Sequence, residues 1–382
     1  MKQNGLTVIV PIRNNKRDDL EFYFNANKDA IYNGFSKSLL IHSANFTILP
    51  PASPKKDIHR LLFTCNYDGD LKSLLLNSGK RGNADHINEV FKFCENYQDG
   101  SVFDPVKFEL FVKAHSIYCN IFLFAFQGVS RTEIVTSDSL RTQVDHILDG
   151  VALATFPKFS QRIKRGQLQK KQQSRFKRFF MSVLQRATGI RKGINDPTES
   201  VKAKTSHYES EDVGSQNRLT VIVPIKTQIL NWRRILMFIT MFFAQKNEYN
   251  GKLGLISGLA TVHFARWAFI DGGWNQSGVQ NLLFEANYDG SFESYIDDFV
   301  DLISVDLNCL WGHCAGFPKR GSKDIEAFKA YIRQNQILGQ ISYQAYPDLT
   351  ISNILTNLSI SGISPYNRQQ GLQRFFCGSY QA

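Results

Sequence analysis

Short apolar runs and stripes of apolar residues at helical spacing alternate along the first half of the chain. The β-branched run from Leu6 to Ile12 predicts a strand, and the apolar spacing that follows it predicts an amphipathic helix. The predicted elements are, in order, strand 6–12, helix 17–35, strands 38–49 and 59–67, a helix after Gly69, helix 105–114, strand 117–126 and helix 134–154.

The second half repeats this pattern. The run LTVIVPI occurs at 6–12 and again at 219–225, and NYDG occurs at 66–69 and again at 287–290. His42 precedes Asn66 by 24 positions, and His263 precedes Asn287 by the same 24. Equal spacing of independent matches indicates an internal duplication. The predicted elements are strand 219–225, a helix at 232–244, strands 261–270 and 280–288, helices 292–310 and 325–334, strand 340–346 and a helix after Pro347.

This order of elements is that of a ferredoxin-like β-α-β-β-α-β unit. Such a sheet carries helices on one face, so its other apolar face must be covered. We therefore predict an α+β protein built as a tandem duplication of this unit, with the two sheets packed as a pseudo-two-fold α+β barrel. The predicted division is a first repeat at 1–156, a basic helix and flexible linker at 157–216, and a second repeat at 217–382.

Three blocks of the second half carry a family resemblance: VHFARW at 262–267, LLFEANYDGSFESYIDDF at 282–299 and QAYPDLTISNI at 344–354. They resemble an uncharacterised bacterial family in the dimeric α+β barrel superfamily, which includes the chlorite dismutases and the dye-decolorizing peroxidases. The first half is similar only through the internal repeat. The resemblance implies the barrel fold and, from the peroxidase branch, haem and peroxide chemistry.

The same resemblance implies roles for individual residues. Dye-decolorizing peroxidases carry a Gly-x-x-Asp-Gly motif whose Asp handles peroxide protons, and here Ala286 stands at the position of its first Gly. An Asp that moves the proton beside an Arg that stabilises the developing charge suits peroxide cleavage. The implied catalytic residues are Asp289 and Arg266, the implied iron ligand is His263, and the implied haem-binding residues are His263, His313, Trp267 and Asn287.

Each of these residues also has a structural interpretation. Strand alternation places His263 with Ala265 and Trp267 on an apolar face, where a histidine is usually a satisfied core residue, and puts Arg266 on the other face unless a bulge intervenes. Asp68 and Asp289 are expected to cap the helix that follows, and the Gly after each allows the turn. His313 is typical of a helix end, where the dipole favours a cation.

Composition indicates a folded, reduced protein. At 382 residues with 43% hydrophobic content the chain suffices for two cores, and its longest apolar run, 235–244, is about half of what spans a bilayer. The N-terminal residues lack the pattern of a signal peptide. Six cysteines without a Cys-x-x-Cys pair argue against a zinc knuckle or a disulfide framework. We expect a cytoplasmic protein.

The net charge of +11 is confined to one segment, since residues 158–192 hold twelve Lys and Arg and no acid, and the remainder sums to −1. Phe176, Phe179, Phe180, Val183 and Leu184 form one helical stripe there. This pattern is typical of a helix lying on anionic lipid, peripheral to a membrane, and equally of a helix packed on its own barrel. Nucleic acid is disfavoured because no base-reading motif accompanies the charge.

Two functional hypotheses follow. The first is a haem-dependent, peroxidase-like oxidoreductase, and the second is a non-catalytic ligand-binding or scaffold protein held at an anionic membrane by residues 158–192.

The membrane hypothesis predicts that deleting residues 158–192 abolishes sedimentation of the protein with anionic vesicles. Each basic residue near an anionic surface contributes on the order of 1 kcal/mol, so the segment should dominate the affinity. Vesicles of neutral lipid are the control. A full-length protein that stays in the supernatant with anionic vesicles at low salt contradicts the hypothesis.

Overall fold

The structure is a computed structural model that describes residues 3–52, 58–80, 84–97, 103–126, 128–148, 214–226, 237, 239, 241, 261–271 and 280–363. The basic segment 158–192, most of the predicted linker 193–216 and most of the predicted helix 232–244 lie outside the described residues. The predicted boundaries near residues 156 and 217 lie within or beside this stretch and stay a prediction.

Within this part of the chain the fold is α+β, with two four-stranded antiparallel sheets. The strands are β1 (Gln3–Pro11), β2 (Ile41–Leu49), β3 (Arg60–Asp68), β4 (Ile121–Phe124), β5 (Gln216–Pro224), β6 (Val262–Ile270), β7 (Asn281–Asp289) and β8 (Ile341–Gln344). The helices with described bounds are α1 (Arg17–Ser36), α2 (Leu71–Lys80), α3 (Ala84–Phe91), α4 (Pro105–His115), α5 (Arg131–Leu148), α6 (Phe292–Trp311), α7 (Ile325–Gln334) and α8 (Ile351–Ile360), with a 3-10 turn at Gly321–Lys323.

The two halves exchange their last strands. The first sheet has the order β1-β3-β2-β8 and the second has the order β4-β6-β7-β5, so each sheet takes three strands from one half and one from the other. The strand that leaves the first half touches β1 before it crosses, since Ile117 donates its N–H to Thr7 O at 2.8 Å and Asn120 donates to Trp267 O at 2.9 Å. Each half therefore needs the other to complete its sheet.

The repeated residues occupy matching positions in the two sheets. Gln3 pairs with Asp68 across β1 and β3, and Gln216 pairs with Asp289 across β5 and β7. The register of β2 on β3 slips between Ile41 and Ser43, and that of β6 on β7 slips between Val262 and Phe264. Each slip leaves a histidine, His42 or His263, as the extra residue of a β-bulge.

Alternation along the strands divides the core into layers, because successive side chains point to opposite faces. Leu61, Phe63 and Cys65 of β3 join the apolar core that includes residues of α1, α3 and α4, and Leu282, Phe284 and Ala286 of β7 join the core that includes residues of α6 and α7. The intervening residues Leu62 and Leu283 share a third cluster between the sheets, together with Leu49, Ala268 and Ile270.

Beyond this apolar layer the sheets are joined by a buried arginine. Arg266, 2% exposed, donates from Nη1 to Leu6 O at 2.6 Å and to Thr7 Oγ1 at 2.9 Å, and from Nη2 to Asn66 Oδ1. Its Nε lies 3.2 Å from Glu285 Oε2. One side chain of the second sheet thus bonds to two strands of the first.

Glu285 completes the connection. Its Oε1 accepts hydrogen bonds from Thr64 at 2.8 Å and Asn45 at 3.3 Å, both in the first sheet, and an ion pair from Arg218 in its own sheet. We refer to Arg218, Arg266 and Glu285 as the inter-sheet charge cluster. Burial by itself would raise the pKa of Glu285, but the two guanidinium groups and the hydrogen bonds outweigh it and lower that pKa below its ordinary value of 4.5.

Several predicted elements are confirmed, and the differences have local causes. Helix α1 matches the predicted helix 17–35 except for a kink at Asn27, which has non-helical backbone angles (φ −120°, ψ 16°). The predicted strands 117–126 and 340–346 are shorter as observed. On the N-terminal side the chain first bonds to the other sheet, and at the C-terminal end Ala125 and Ala345 donate to the bulge residues His263 and His42, where regular pairing stops. Helix α3 was not predicted.

No helix in the described ranges is long and apolar enough to cross a membrane.

The inter-sheet charge cluster predicts that Glu285→Gln destabilises the fold by about 3–5 kcal/mol, because two buried cations lose their carboxylate. Urea denaturation measures the change. Glu293→Gln is the matched control. The Glu293 side chain is 61% exposed and pairs with Lys329, so loss of this ion pair should cost at most about 1 kcal/mol.

The stability of the wild type and of Glu285→Gln should depend differently on pH in acid. A lowered folded-state pKa gives Glu285 a stabilising contribution that is present above its unfolded value of 4.5 and lost as pH falls through the folded pKa. Below about pH 4.5 the wild type should therefore lose stability more steeply than Glu285→Gln. Parallel pH profiles would contradict the assignment.

Candidate functional site

A histidine and an aspartate meet in each half where β3 and β7 end. Nε2 of His263 donates to Asp289 Oδ1 at 2.6 Å, and Nε2 of His42 lies 3.1 Å from Asp68 Oδ1. Both histidines are at most 1% exposed. The bulges explain this arrangement, because the slip in register turns His263 toward the aspartate and not toward the face expected from simple alternation. The expected grouping of His263 with Ala265 and Trp267 is therefore wrong.

The two aspartates cap helices other than the expected ones. Asp68 Oδ2 accepts from the backbone N–H of Arg131 at 2.7 Å, at the start of α5, and Asp289 Oδ2 accepts from Ile351 N–H at 2.8 Å, at the start of α8. The helices directly after the NYDG turns begin with other acceptors, since Asp70 binds Ser73 N–H and Ser291 binds Ser294 N–H. Each aspartate thus ties the end of one strand to the last described helix of its half.

The turns themselves agree with the sequence interpretation. Gly69 and Gly290 have φ of +85° and +76°, in the region that favours glycine.

Two glutamines, which the sequence analysis missed, bind the loops that lead into α5 and α8. Gln3 Nε2 donates to Val129 O at 2.8 Å, and Gln216 Nε2 donates to Leu349 O at 2.6 Å. The signal was available, because the repeat is QN-x-LTVIVPI at 3–12 and 216–225 and thus begins three residues before the matched run. These glutamines fix the backbone just before α5 and α8.

Tyr346 joins the two histidine–aspartate pairs. Its hydroxyl forms a hydrogen bond with Nδ1 of His42 at 2.9 Å, and its ring centroid lies 6.4 Å from that of His263. Burial, followed by the nearby Asp68 carboxylate, raises the pKa of Tyr346 well above its ordinary value. The phenol therefore stays protonated, and Tyr346 is bonded to His42, whose Nε2 lies close to Asp68 without a hydrogen bond between them.

The remaining predicted site residues lie elsewhere. Arg266 belongs to the inter-sheet charge cluster, where it forms an ion pair with Glu285, and it also donates a hydrogen bond to Asn66. Trp267 packs on Phe284, at 4.6 Å between ring centroids, in the helix-covered core. His313 follows α6, and its carbonyl accepts from the N–H of Lys226, just beyond the end of β5. Asp289 pairs with the start of β5, so His313 lies at the other end of this strand. Asn287 is 2% exposed between the sheets.

These positions do not fit haem. A haem needs room for its ring system beside the ligating histidine, but His263 is 0% exposed: Nε2 is bonded to Asp289, and the ring is in contact range of Phe126 and Tyr346, so Nδ1 is enclosed as well. The other implied haem-binding residues are scattered: His313 lies at the far end of the sheet, Trp267 lies on its helix-covered face, and Asn287 is buried between the sheets. For a metal ion held by side chains alone, which is a separate question from haem, the described ranges contain no group of three His, Cys, Asp or Glu that could bind it. We therefore derive no chemistry through haem.

An open site lies at another place, between the outer edges of β5 and β8. A cleft of about 550 Å³ is found there, within the usual size of small-molecule sites. A backbone bond closes the seam at one end, where Ile337 N–H donates to Thr220 O at 2.9 Å, as Ile117 donates to Thr7 O at the matching place in the first half. The lining side chains include Tyr32 and Ser36 of α1, Gln216 and Arg218 of β5, and Ser342 and Gln344 of β8.

The corresponding seam of the first half, between the outer edges of β1 and β4, is filled. Gly5 and Arg218 hold matching positions, opposite Asn66 and Asn287, and Phe122 and Ser342 match as the partners of Arg266 and Asn45. Phe122 packs so closely on Gly5 that a Cβ there would lie 2.6 Å from its ring. Where the first seam has glycine under a phenylalanine, the second has arginine beside a serine, and a cleft remains.

No family model, no curated protein and no solved structure matches this chain.

The enclosed state of His263 predicts that haem titration of the purified protein gives no saturable Soret shift. His263→Ala and His313→Ala serve as comparison variants. A saturable shift in the wild type that His263→Ala abolishes would show that the histidine is reached by haem after all.

Proposed function

We propose that this chain is a non-catalytic binding protein that takes a small polar molecule into the cleft between β5 and β8. The observation that carries the proposal is the difference between the two seams, one filled by Phe122 over Gly5 and the other open beside Arg218. Because the strands on both sides have matching registers, the opening comes from these side chains and not from a different backbone plan.

The lining suits a ligand held by hydrogen bonds. Gln216, Asn217 and Thr220 form a buried polar wall, with exposures of 8%, 5% and 2%, while Asn33 and Gly339 at the rim are exposed. Small-molecule sites place a few fixed polar groups in a concave surface. Gln216 and Asn217 are held in place because each amide nitrogen donates to two backbone carbonyls, so the wall is preformed and a ligand would meet the amide oxygens as acceptors.

The residues implied as catalytic support binding over catalysis. Asp289 holds the start of α8, and Arg266 holds the sheets together, so both have structural partners that account for their burial. We retain the peroxidase-like reaction as the alternative proposal, and the haem titration above tests it.

At the level of fold we propose that each half is a ferredoxin-like repeat and that the sheets form a pseudo-two-fold barrel. The matching bulges at His42 and His263, the matching caps from Asp68 and Asp289, and the backbone bonds that bridge both seams support this arrangement. The anionic membrane stays the proposed partner of residues 158–192, on the charge pattern alone.

Ser342→Phe should close the cleft, because a phenylalanine at the matching position fills the other seam. Saturation-transfer NMR with a panel of short-chain carboxylates, their amides and monosaccharides measures binding, and the expected result is signal in the wild type and at least a tenfold loss in Ser342→Phe.

Ser359→Phe is the control, since it adds the same side chain at an exposed position of α8. Equal binding by Ser342→Phe and wild type, or a panel that gives no signal with the wild type, would contradict the proposal.

A further inference from the structure

We propose that the ligand of the β5–β8 cleft is a small organic acid whose carboxylate is bound by Arg218; this rests on the proposed function of the cleft. Among the described residues that line the cleft, Arg218 is the one with a charged side chain, and the others contribute amides, hydroxyls and a few apolar surfaces. Arg218 is already paired with Glu285, and Arg266 also lies beside that carboxylate, so the cluster carries one excess positive charge, which suits a monoanionic group better than a phosphate with its higher charge.

Arg218 is held in a fixed position. Its Nη2 is bonded to Glu285 and lies 3.5 Å from Thr47 Oγ1, and its side chain is 7% exposed. A guanidinium carries five N–H donors in a planar fork, so one arginine binds acceptors on more than one edge. Because its rotamer is already fixed, little conformational entropy is lost when a ligand binds.

The neighbouring backbone makes room for this arginine. Gly339 faces it so closely that a Cβ there would lie 2.9 Å from Nη1 of Arg218. The matching position in the first half is Cys119, as the aligned strands β4 and β8 show. Three differences between the halves therefore act at one seam: an arginine where the other half has Gly5, a glycine where it has Cys119, and a serine where it has Phe122.

The charge around the cleft is complementary to an acid. The inter-sheet charge cluster holds two guanidinium groups and one carboxylate: Glu285 accepts a hydrogen bond from Arg218 and forms an ion pair with Arg266. A ligand carboxylate beside Arg218 would bring a second negative charge to this cluster. In a partly buried site such a charge-assisted hydrogen bond is stronger than a neutral one.

The test uses benzoate and benzamide, which have the same shape and differ in charge, with inorganic phosphate as a third probe. Dissociation constants are measured by NMR titration of the full chain at low salt. We expect benzoate to bind at least about tenfold more tightly than benzamide, and Arg218→Gln to reduce this ratio to about one. Arg320→Gln is the matched control, because that arginine is 50% exposed and pairs with Asp324 on the surface; it should keep the ratio.

Two further measurements keep the test decisive if Arg218→Gln folds poorly. Arg218→Lys retains the charge but loses the planar fork, and should lower the ratio without abolishing it. In the wild type, raising salt from about 50 to about 500 mM should weaken benzoate and leave benzamide unchanged.

The outcomes separate this inference from the proposed function. Equal binding of benzoate and benzamide, with both blocked by Ser342→Phe, would overturn the carboxylate assignment and leave the cleft as a binding site. Tighter binding of phosphate than of benzoate would also overturn it. If neither organic probe and no member of the wider panel binds in a way that Ser342→Phe blocks, both the inference and the proposed function fail.

Discussion

The structure depends on a small number of charges buried between two sheets. Arg266 reaches from the second sheet to backbone and side-chain oxygens of the first, and Glu285 accepts from threonine and asparagine in return. Apolar contacts between the sheets favour burial but are not directional. Hydrogen bonds with fixed donors and acceptors select one relative placement of the sheets. In this protein those hydrogen bonds are made by Arg266 and Glu285, which also belong to the inter-sheet charge cluster.

The duplication explains why the fold could be predicted in outline. Repeated runs with equal spacing identified the strands of both halves. The exchange of β4 and β8 could not be predicted, because periodicity reports which residues form a strand and not which neighbour the strand chooses. The bulges at His42 and His263 were equally hidden. One extra residue in a strand changes the face of a side chain without changing the composition of the run.

The candidate site was harder to predict, since it is formed by what the halves do not share. His263 and Asp289 were expected to be important, and they do meet, but their bonds close on each other and on the start of α8. The cleft arises from Arg218 in β5, Ser342 in β8 and Gly339 just before β8, which are far apart in sequence. Nothing in either strand alone marks them. Aligning the two halves and looking for exchanged small and large residues at matching positions is the signal that would have found them.

The exchange of strands has a consequence for synthesis on the ribosome. The edge of β2 is covered by residues 341–344, which are translated almost 300 residues later, so the first half must wait with a long apolar strand exposed. Open strand edges of this kind pair readily with other chains, and contacts between distant residues form slowly. A nascent or truncated chain should therefore depend on chaperones and high dilution far more than the finished protein does, because the first half can complete its sheet only after nearly all of the second half has emerged.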